Sequence, residues 1–309
     1  MRQTALNTVH QLALDHPQVL FIGSDLGAGT LKDLAAARPD QFFMEGVCEA
    51  NIIGMAAGLA MEGFVPYFNT IATFLTRRCL EQVTIDLCLH NLPVRLLGSG
   101  GGLVYAPLGP THLAFEDIAL LRTMPNMTIV APSDADEMRR IVMGSLDWPG
   151  PLYIRIAKGN DPVISRPELP CVIGQAICLR EGADVGLIST GVMTGRALAA
   201  AEMLAAQGLK ASVLHMHTIK PLDEQAVIAL ARSVGTIVTI EEHSRNGGLG
   251  TAVLETLADA GVPVRVHRLG LADAFPEGYG SQDHLLTLAG LTGPAITASV
   301  TSLLADRRP

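Results

Sequence analysis

Side chains that could stack, transfer protons or bind anions recur where predicted strands end and predicted helices begin. They are Asp25, Glu49, Phe74, Arg77, the turn GPTH at Gly109–His112 and the loop Arg155–Lys158. Open α/β sheets place their ligands at such strand ends. The pattern therefore predicts a polar binding or catalytic site assembled from several loops of one sheet.

Common short catalytic motifs are absent from the sequence, including G-x-x-x-x-G-K-[ST], G-x-S-x-G and H-E-x-x-H. The glycine cluster at 98–102 follows a predicted strand, but Leu103 stands at the last glycine of G-x-G-x-x-G. His112 and Glu116 are four residues apart and could share a helical face. Without a third ligand, a polar site or a helix start is a better interpretation than a metal site, and we predict no metal ligand in this chain.

Strands and helices alternate along the whole chain, which predicts parallel sheets covered by helices on both faces. The predicted strands lie at 19–22, 94–97, 127–130, 152–156, 185–189, 211–215, 236–240 and 264–267. The predicted helices lie at 4–14, 49–61, about 73–90, 193–207, 223–233 and after Gly247-Gly248. We therefore predict the α/β class, with two doubly wound domains.

A stretch with little helical pattern separates the two halves. Residues 159–182 contain Pro162, Pro167, Pro170 and Gly174, as is typical of a linker. We expect an α/β domain over residues 1–165, a linker over 166–182 and a second α/β domain over 183–309.

The composition excludes several classes of protein. The chain has 309 residues, of which 49% are apolar and 17% charged, so it can bury a large core and is not mainly disordered. Its net charge is −8, with only four lysines and 4% aromatic residues, which argues against binding to nucleic acid or to an anionic membrane. Because the chain is so apolar and carries so little charge, we expect it to self-associate.

The five cysteines indicate a reducing compartment. Their number is odd and none forms C-x-x-C, which fits free thiols rather than disulfides or a zinc site. Polar residues interrupt the N-terminal apolar stretch, so no signal peptide is predicted, and the densest apolar run, 52–61, is too short to span a bilayer. We expect a cytoplasmic protein.

Longer stretches of the chain resemble the thiamine-diphosphate enzymes of the transketolase group, in order and over nearly the whole length. They are EGVCEANIIGMAAGLA at 45–60, TFLTRRCLEQV at 73–83, GPTH at 109–112, PNMTIVAPSD at 125–134, TIKPLD at 218–223 and EEHSRNGGLGTAV at 241–253. The resemblance is greatest to 1-deoxyxylulose 5-phosphate synthase and to split transketolases.

The resemblance implies that this chain is half of an enzyme. Members of the family have three α/β modules, and the first binds the diphosphate and Mg²⁺ through a GDG…N motif. No G-D-G occurs here, so the chain resembles the pyrimidine-binding and C-terminal modules alone. The implied partner is an N-terminal subunit that carries the GDG…N module and most contacts to Mg²⁺ (or Ca²⁺). A self-dimer within a heterotetramer is expected.

The resemblance also assigns roles at the cofactor. It makes Glu49, in the setting G-x-x-E, the acid that hydrogen-bonds ring N1′ of the aminopyrimidine, and it makes Phe74 the ring that stacks on the pyrimidine. Ile71 stands where relatives carry a second aromatic residue. Arg77 matches the arginine of the synthase, and Asp25 aligns with a residue near the thiazolium.

At the substrate, the resemblance implies that His112 faces the carbonyl and hydroxyl groups. Lys158 stands where relatives use an arginine for the substrate phosphate. Two departures from the family pattern change how the sugar would be recognised. Leu108 stands where relatives carry an acidic residue that hydrogen-bonds to a substrate hydroxyl. The glycines at 100–102 stand in place of a nearby basic residue. Tyr105 could fill part of that space.

The activity implied is the transfer of a two-carbon ketol unit from a ketose, or ketose phosphate, to an aldehyde acceptor. An alternative within the same cofactor class is a deoxyxylulose-type synthase or the β subunit of a 2-oxoacid dehydrogenase. Another alternative is a non-catalytic assembly subunit. The glutamate at position 49 argues against the last, because a subunit without catalysis has no need of a buried carboxyl group.

Overall fold

The computed structural model describes residues 1–305 except residues 25, 27, 28, 30, 158 and 160. Its strands are β1 Val19–Gly23, β2 Phe42–Met44, β3 Val65–Ile71, β4 Arg95–Ser99, β5 Thr128–Val130, β6 Leu152–Ile156, β7 Ile177–Arg180, β8 Val185–Ser189, β9 Ala211–His215, β10 Thr218–Lys220, β11 Thr236–Ser244 and β12 Arg265–Leu271.

Helices cover both sheets. They are α1 Arg2–Asp15, α2 Lys32–Ala37, α3 Glu49–Met61, α4 Ala72–Thr76, α5 Leu80–Gln82, α6 Asp117–Arg122, α7 Ala135–Gly144, α8 Met193–Ala206, α9 Glu224–Ser233, α10 Leu249–Asp259, α11 Gln282–Leu288 and α12 Gly293–Ala305. Short 3₁₀ turns lie at Pro39–Gln41 and Ala106–Leu108, and Val83–Leu89 is π-helical.

The first sheet has seven strands in the order β10-β5-β6-β4-β3-β1-β2. Strands β1 to β6 run parallel, and β10 pairs antiparallel with β5. Strands β1, β4 and β6 are buried along their whole length, as expected of a parallel sheet with helices on both faces. The register pairs Ile71 with Ser99 and Ser99 with Ile156, so the carboxyl ends of three neighbouring strands meet at one edge.

The second sheet has the order β12-β11-β8-β9-β7, and β7 is its antiparallel edge strand. The two-domain α/β architecture predicted from the sequence is confirmed. The proposed division at 166–182 stays a prediction. Two connections bear on it: β7 lies within that range and pairs with the second sheet, and β10 from the second half pairs with the first.

The predicted single helix at about 73–90 is instead three pieces. A turn at 77–79 separates α4 from α5, and α5 continues as the π-helical segment. Arg77 and Arg78 occupy this turn and make ion pairs with two different glutamates. Tertiary pairing has therefore prevailed over local helix propensity.

One segment, Gln282–Ala305, is long and apolar enough to cross a membrane by length and composition. In the structure it is two helices, α11 and α12, and side chains of both pack in the core of the second sheet. About a third of this apolar stretch (33%) is buried within the chain.

Candidate active site

Glu49 is the first residue of α3 and lies at the carboxyl edge of the first sheet. Gly46, with φ of +76°, turns the chain just before the helix. An acidic side chain in the first helical turn is stabilised by the helix dipole. The side chain of Glu49 is only 1% exposed. A carboxyl group in this position is both shielded from water and close to the strand ends.

Both carboxylate oxygens of Glu49 have neighbours. Arg78 Nη1 donates to Oε2 at 2.8 Å, and the Thr70 hydroxyl lies 3.5 Å from Oε1. The Ser24 hydroxyl in turn donates to Thr70 Oγ1 at 2.9 Å. The contact to Oε1 is at the outer limit of a hydrogen bond, so Oε1 is the oxygen that a ligand could engage more closely.

Phe74 lies beside this carboxylate on α4. The Arg78 guanidinium carbon sits 4.1 Å from the centroid of its ring. The His112 imidazole meets the same ring edge-on, with centroids 5.2 Å apart and an interplanar angle of 63°. The structure thus brings three of the predicted site residues, Glu49, Phe74 and His112, into one cluster that Arg78 links.

An open cavity of about 320 Å³ lies at Phe74 and Arg78 and is lined by Thr73, Phe74, Arg77, Arg78 and Thr111; Glu49, which Arg78 contacts, does not line it. An aromatic face beside a buried carboxylate suits a flat heteroaromatic ring that carries a nitrogen acceptor. The residues present therefore fit an aminopyrimidine, with Phe74 and Glu49 as its contacts.

Arg77 contributes to the cavity wall, but its hydrogen bonds hold the GPTH loop. Its Nε lies 2.9 Å from Glu116 Oε1 and 2.6 Å from Thr73 Oγ1, and Nη2 donates to the carbonyl of Leu113 at 3.1 Å. Arg78, which sequence reasoning passed over, is the arginine that contacts Glu49 and Phe74. The available signal was the doublet Arg77-Arg78 in a stretch whose helical pattern is not sustained.

The GPTH loop connects β4 to α6 and contacts residues of the second half of the chain. Glu242 accepts hydrogen bonds from the Leu103 N–H at 2.9 Å and from Gln282 Nε2 at 2.8 Å. Gly102 has φ of +66°, and a Cβ there would lie 2.5 Å from Glu242 Cδ, so this close approach requires glycine. The sequence EEHS at 241–244 therefore positions the loop that carries His112.

A buried ion pair fixes the other side of the same loop. Arg155 Nε lies 2.8 Å from Asp117 Oδ2, and Arg155 Nη2 also donates to the carbonyls of Ala114 and Glu242. Tyr153 donates its hydroxyl to the same carboxylate at 2.7 Å. Burial opposes the charge on Arg155, but Asp117 outweighs it and raises the pKa of the guanidinium. Arg155, a candidate from the sequence as part of its loop, is thus a structural residue.

His243 is fully buried next to this pair. The Ala119 N–H donates to Nε2 at 3.2 Å, and Nδ1 lies 2.6 Å from the carbonyl of Ser244, which together fit a neutral ring protonated at Nδ1. Burial lowers the pKa of His243 to about 4. Burial likewise raises the pKa of Glu241 to about 7, although the N–H groups of Leu249 and Gly250 favour its ionised form.

The remaining predicted site residues are Ile71, Tyr105, Leu108, Asp25 and Lys158. Ile71 is buried at the end of β3, the ring of Tyr105 packs where a Cβ on Gly100 would stand, and Leu108 is 49% exposed on the 3₁₀ turn. Asp25 and Lys158 lie outside the described residues. The roles of all these residues stay predictions.

Family models match both halves of the chain. The transketolase pyrimidine-binding domain matches residues 1–162, and the transketolase C-terminal domain matches residues 174–296. The first match includes Glu49, Phe74 and the GPTH loop, and the second includes EEHS.

Curated relatives are of two lengths. The chain is 37% identical to a 6-deoxy-6-sulfo-D-fructose transketolase subunit of Clostridium sp. (strain MSTE9), over 96% of this chain and 92% of the relative. It is 39% identical to an apulose-4-phosphate transketolase subunit of Phocaeicola vulgatus, over 88% and 87% of the two chains. It is 40% identical to the 1-deoxy-D-xylulose-5-phosphate synthase of Thermomicrobium roseum, but spans only 48% of that protein.

A solved structure described as a split gene transketolase, inactive beta4 tetramer, superposes with a TM-score of 0.89 at 35% identity, over 99% of this chain and 98% of that one. The transketolase of Campylobacter jejuni superposes with a TM-score of 0.81 at 19% identity, over 97% of this chain and 46% of that one, and shares the fold. The buried carboxylate beside an aromatic ring thus occurs in a chain whose sequence and fold match these proteins along its length. This chain belongs to the thiamine-dependent transketolase family.

Proposed function

We propose that this chain is the C-terminal subunit of a split transketolase that uses thiamine diphosphate to transfer a two-carbon ketol unit from a ketose to an aldehyde. The observation that carries the proposal is the buried Glu49 carboxylate, linked through Arg78 to the Phe74 ring that lines an open cavity. Thiamine diphosphate, when bound, supplies a nucleophilic carbon that attacks the ketose carbonyl.

In this proposal each residue of the cluster has a distinct task. Glu49 exchanges a proton with ring N1′ through Oε1, the oxygen with only a long contact to Thr70. Phe74 provides an apolar face for the pyrimidine. His112, on the loop over Phe74, donates a hydrogen bond to oxygen atoms of the substrate. Arg77 keeps that loop in place.

We assign the diphosphate, and most contacts to Mg²⁺, to an N-terminal partner subunit. Two features support this: the sequence has no G-D-G, and the chain spans about half of the synthase relatives but most of the relatives named as subunits. The similar split-gene beta4 tetramer, an assembly of one kind of subunit, is described as inactive. An active heterotetramer, built on a self-dimer of this chain, is therefore proposed, and a cytoplasmic location stays a prediction.

The substrate class is proposed to differ from ordinary pentose and hexose phosphates. Leu108 is exposed on the 3₁₀ turn that leads into GPTH and cannot accept a hydrogen bond from a sugar hydroxyl. Two similar subunits are named for 6-deoxy-6-sulfo-D-fructose and for apulose 4-phosphate, which supports a substrate outside that class.

The test is calorimetry with thiamine diphosphate and Mg²⁺ on the isolated chain and on the chain mixed with a GDG…N subunit from the same genome. We expect binding and ketol transfer only in the mixture. Tight stoichiometric binding by the isolated chain would contradict the split site. Release of CO₂ from pyruvate by the mixture, without transfer between a ketose and an aldehyde, would instead support the synthase-like or dehydrogenase-like alternative.

A further inference from the structure

Three potential metal ligands from separate parts of the chain lie close together in the fold. Glu137 lies on α7, Cys171 in the segment between the two sheets, and His217 between β9 and β10. One carboxylate oxygen, the thiol sulfur and one ring nitrogen all lie within 4.8 Å of one another. The cluster is separate from the Glu49 site, and nothing in the proposed activity uses it.

His217 has an unused ring nitrogen in this cluster. The residue is fully buried, and Nδ1 lies 2.9 Å from Thr218 Oγ1. Its Nε2 is buried without a hydrogen-bond partner among the described residues. A buried polar atom without a partner is costly. When Nδ1–H donates to the threonine hydroxyl, Nε2 carries the lone pair that a metal would accept.

Glu137 is held in a fixed orientation by groups around it. His215 Nε2 lies 2.9 Å from Oε2, the Ser133 N–H donates to the same oxygen, and Thr194 Oγ1 lies 2.7 Å from His215 Nδ1. Such outer hydrogen bonds commonly orient the ligands of metal sites. The nearby Arg140 makes an ion pair with Asp136, with Nε 3.0 Å from Oδ2, and donates from Nη1 to the Leu169 carbonyl at 2.9 Å, while its Nη2 is buried without a hydrogen-bond partner among the described residues.

We propose that Glu137, Cys171 and His217 bind one divalent transition metal of the zinc class. A thiolate, an imidazole and a carboxylate together suit zinc rather than magnesium or calcium. On binding, the Cys171 thiol releases its proton to solvent and the sulfur bonds to the metal. Cys171 is only partly buried, which leaves a path for the ion and for a water as fourth ligand. The metal would tie α7, the segment before β7 and the connection between β9 and β10 together.

The proposal departs from the expectation that the chain holds no metal ligand. Sequence reasoning searched for closely spaced ligands, whereas these three are far apart in the chain and only the fold brings them together.

The test uses the full-length chain, stripped with a chelator and titrated with Co²⁺ and Zn²⁺. We expect one Co²⁺ per chain, with a thiolate charge-transfer band and tetrahedral visible bands, and displacement by Zn²⁺. Cys171→Ser should abolish the charge-transfer band, and His217→Gln should weaken Zn²⁺ binding by more than about 100-fold. Cys178→Ser, at an exposed cysteine on β7, should behave as wild type.

A second measurement covers the variants that fold poorly. Zn²⁺ should raise the melting temperature of the wild type and of Cys178→Ser, and leave that of Cys171→Ser unchanged. A wild-type chain that shows no charge-transfer band, or one whose Zn²⁺ affinity equals that of Cys171→Ser, overturns the proposal.

Discussion

Arg78 donates a 2.8 Å hydrogen bond to Glu49 while its guanidinium carbon stands 4.1 Å from the centroid of the Phe74 ring. One side chain thus contacts both groups proposed to hold the pyrimidine. Its neighbour Arg77 turns the opposite way, to Glu116 and the GPTH loop. The turn at 77–79 therefore directs the two adjacent arginines to different contacts. Substituting each arginine alone should show the effect of each set of contacts.

Glu49→Gln should abolish activation of the cofactor while leaving the fold intact. An amide fills the same space but cannot exchange a proton, and the loss of such a group typically costs about 10²–10⁴-fold. Proton exchange at C2 of thiamine diphosphate, followed by NMR in the complex with the N-terminal subunit, measures it. Glu45→Gln, on an exposed side chain one turn earlier, is the matched control. Exchange at the wild-type rate in Glu49→Gln would rule out the assigned role.

Arg78→Met should destabilise the chain by about 1–3 kcal/mol, because it leaves the buried Glu49 carboxylate without its charged partner. The double variant Glu49→Gln/Arg78→Met should recover part of that loss, since the glutamine carries no charge. Urea unfolding of the four proteins forms a double-mutant cycle. Strictly additive effects would mean that the two side chains are not coupled.

Arg77→Met should act on the loop instead. It removes the bonds to Glu116 and to the Leu113 carbonyl, so the loop with His112 loses order. We expect a raised KM for the ketose. The affinity for thiamine diphosphate should stay within about threefold of wild type, which corresponds to less than about 1 kcal/mol. Steady-state kinetics and calorimetry on the reconstituted enzyme measure both. A large loss of cofactor affinity would instead place Arg77 in the cofactor site.

Leu108→Asp should shift specificity toward ordinary sugar phosphates. A carboxylate there can accept a hydrogen bond from a substrate hydroxyl, a gain of about 1–3 kcal/mol in discrimination. The measurement is kcat/KM for a panel of ketoses and aldehydes with both forms of the reconstituted enzyme. Val163→Asp, another exposed apolar side chain, controls for the added charge. If the native enzyme already prefers xylulose 5-phosphate and the variant gains nothing, Leu108 does not set specificity.

His243 contributes stability that should be lost as the pH drops from about 6.5 to about 4, whereas the raised pKa of Glu241 acts in the opposite direction. Burial lowers the pKa of His243 to about 4 from 6.5, so below pH 6.5 the unfolded chain takes up a proton that the folded chain does not. The contribution is complete above pH 6.5 and is lost toward pH 4, on the order of 3 kcal/mol in all. Urea unfolding of wild type and His243→Gln across this range should show a flatter profile for the variant.

The sequence predicted some elements with sustained patterns, such as β1 and α3, but missed others, including the buried strand β3 and the helix α7. The buried run of β1 and the alanine-rich helix α3 were placed within a residue of their bounds. The three-residue strand β10 was missed, because it is too short to show a period and exists only through pairing with β5.

At the site, too, residues in sequence motifs could be predicted, and residues placed by distant contacts could not. Glu49, Phe74 and His112 stand in family-like motifs, and the structure brings them together. Arg78 could not be chosen over Arg77 from spacing, since both lie three or four residues from Phe74 and only the turn decides their directions. The buried pair Arg155–Asp117 was equally hidden, because the two residues come from different elements and no local pattern joins them.

Strand β10 has a consequence for how the chain can be divided. It belongs by sequence to the second half, yet it covers the edge of β5 in the first sheet, and the Ala131 N–H beside it donates to the His217 carbonyl. A fragment cut before β7 would expose β5 as an open edge, ready to pair with another molecule. Longer relatives carry this unit fused to further sequence, and the subunit relatives carry it alone. The two sheets therefore depend on each other through β10, and a break between them would leave the edge of β5 uncovered.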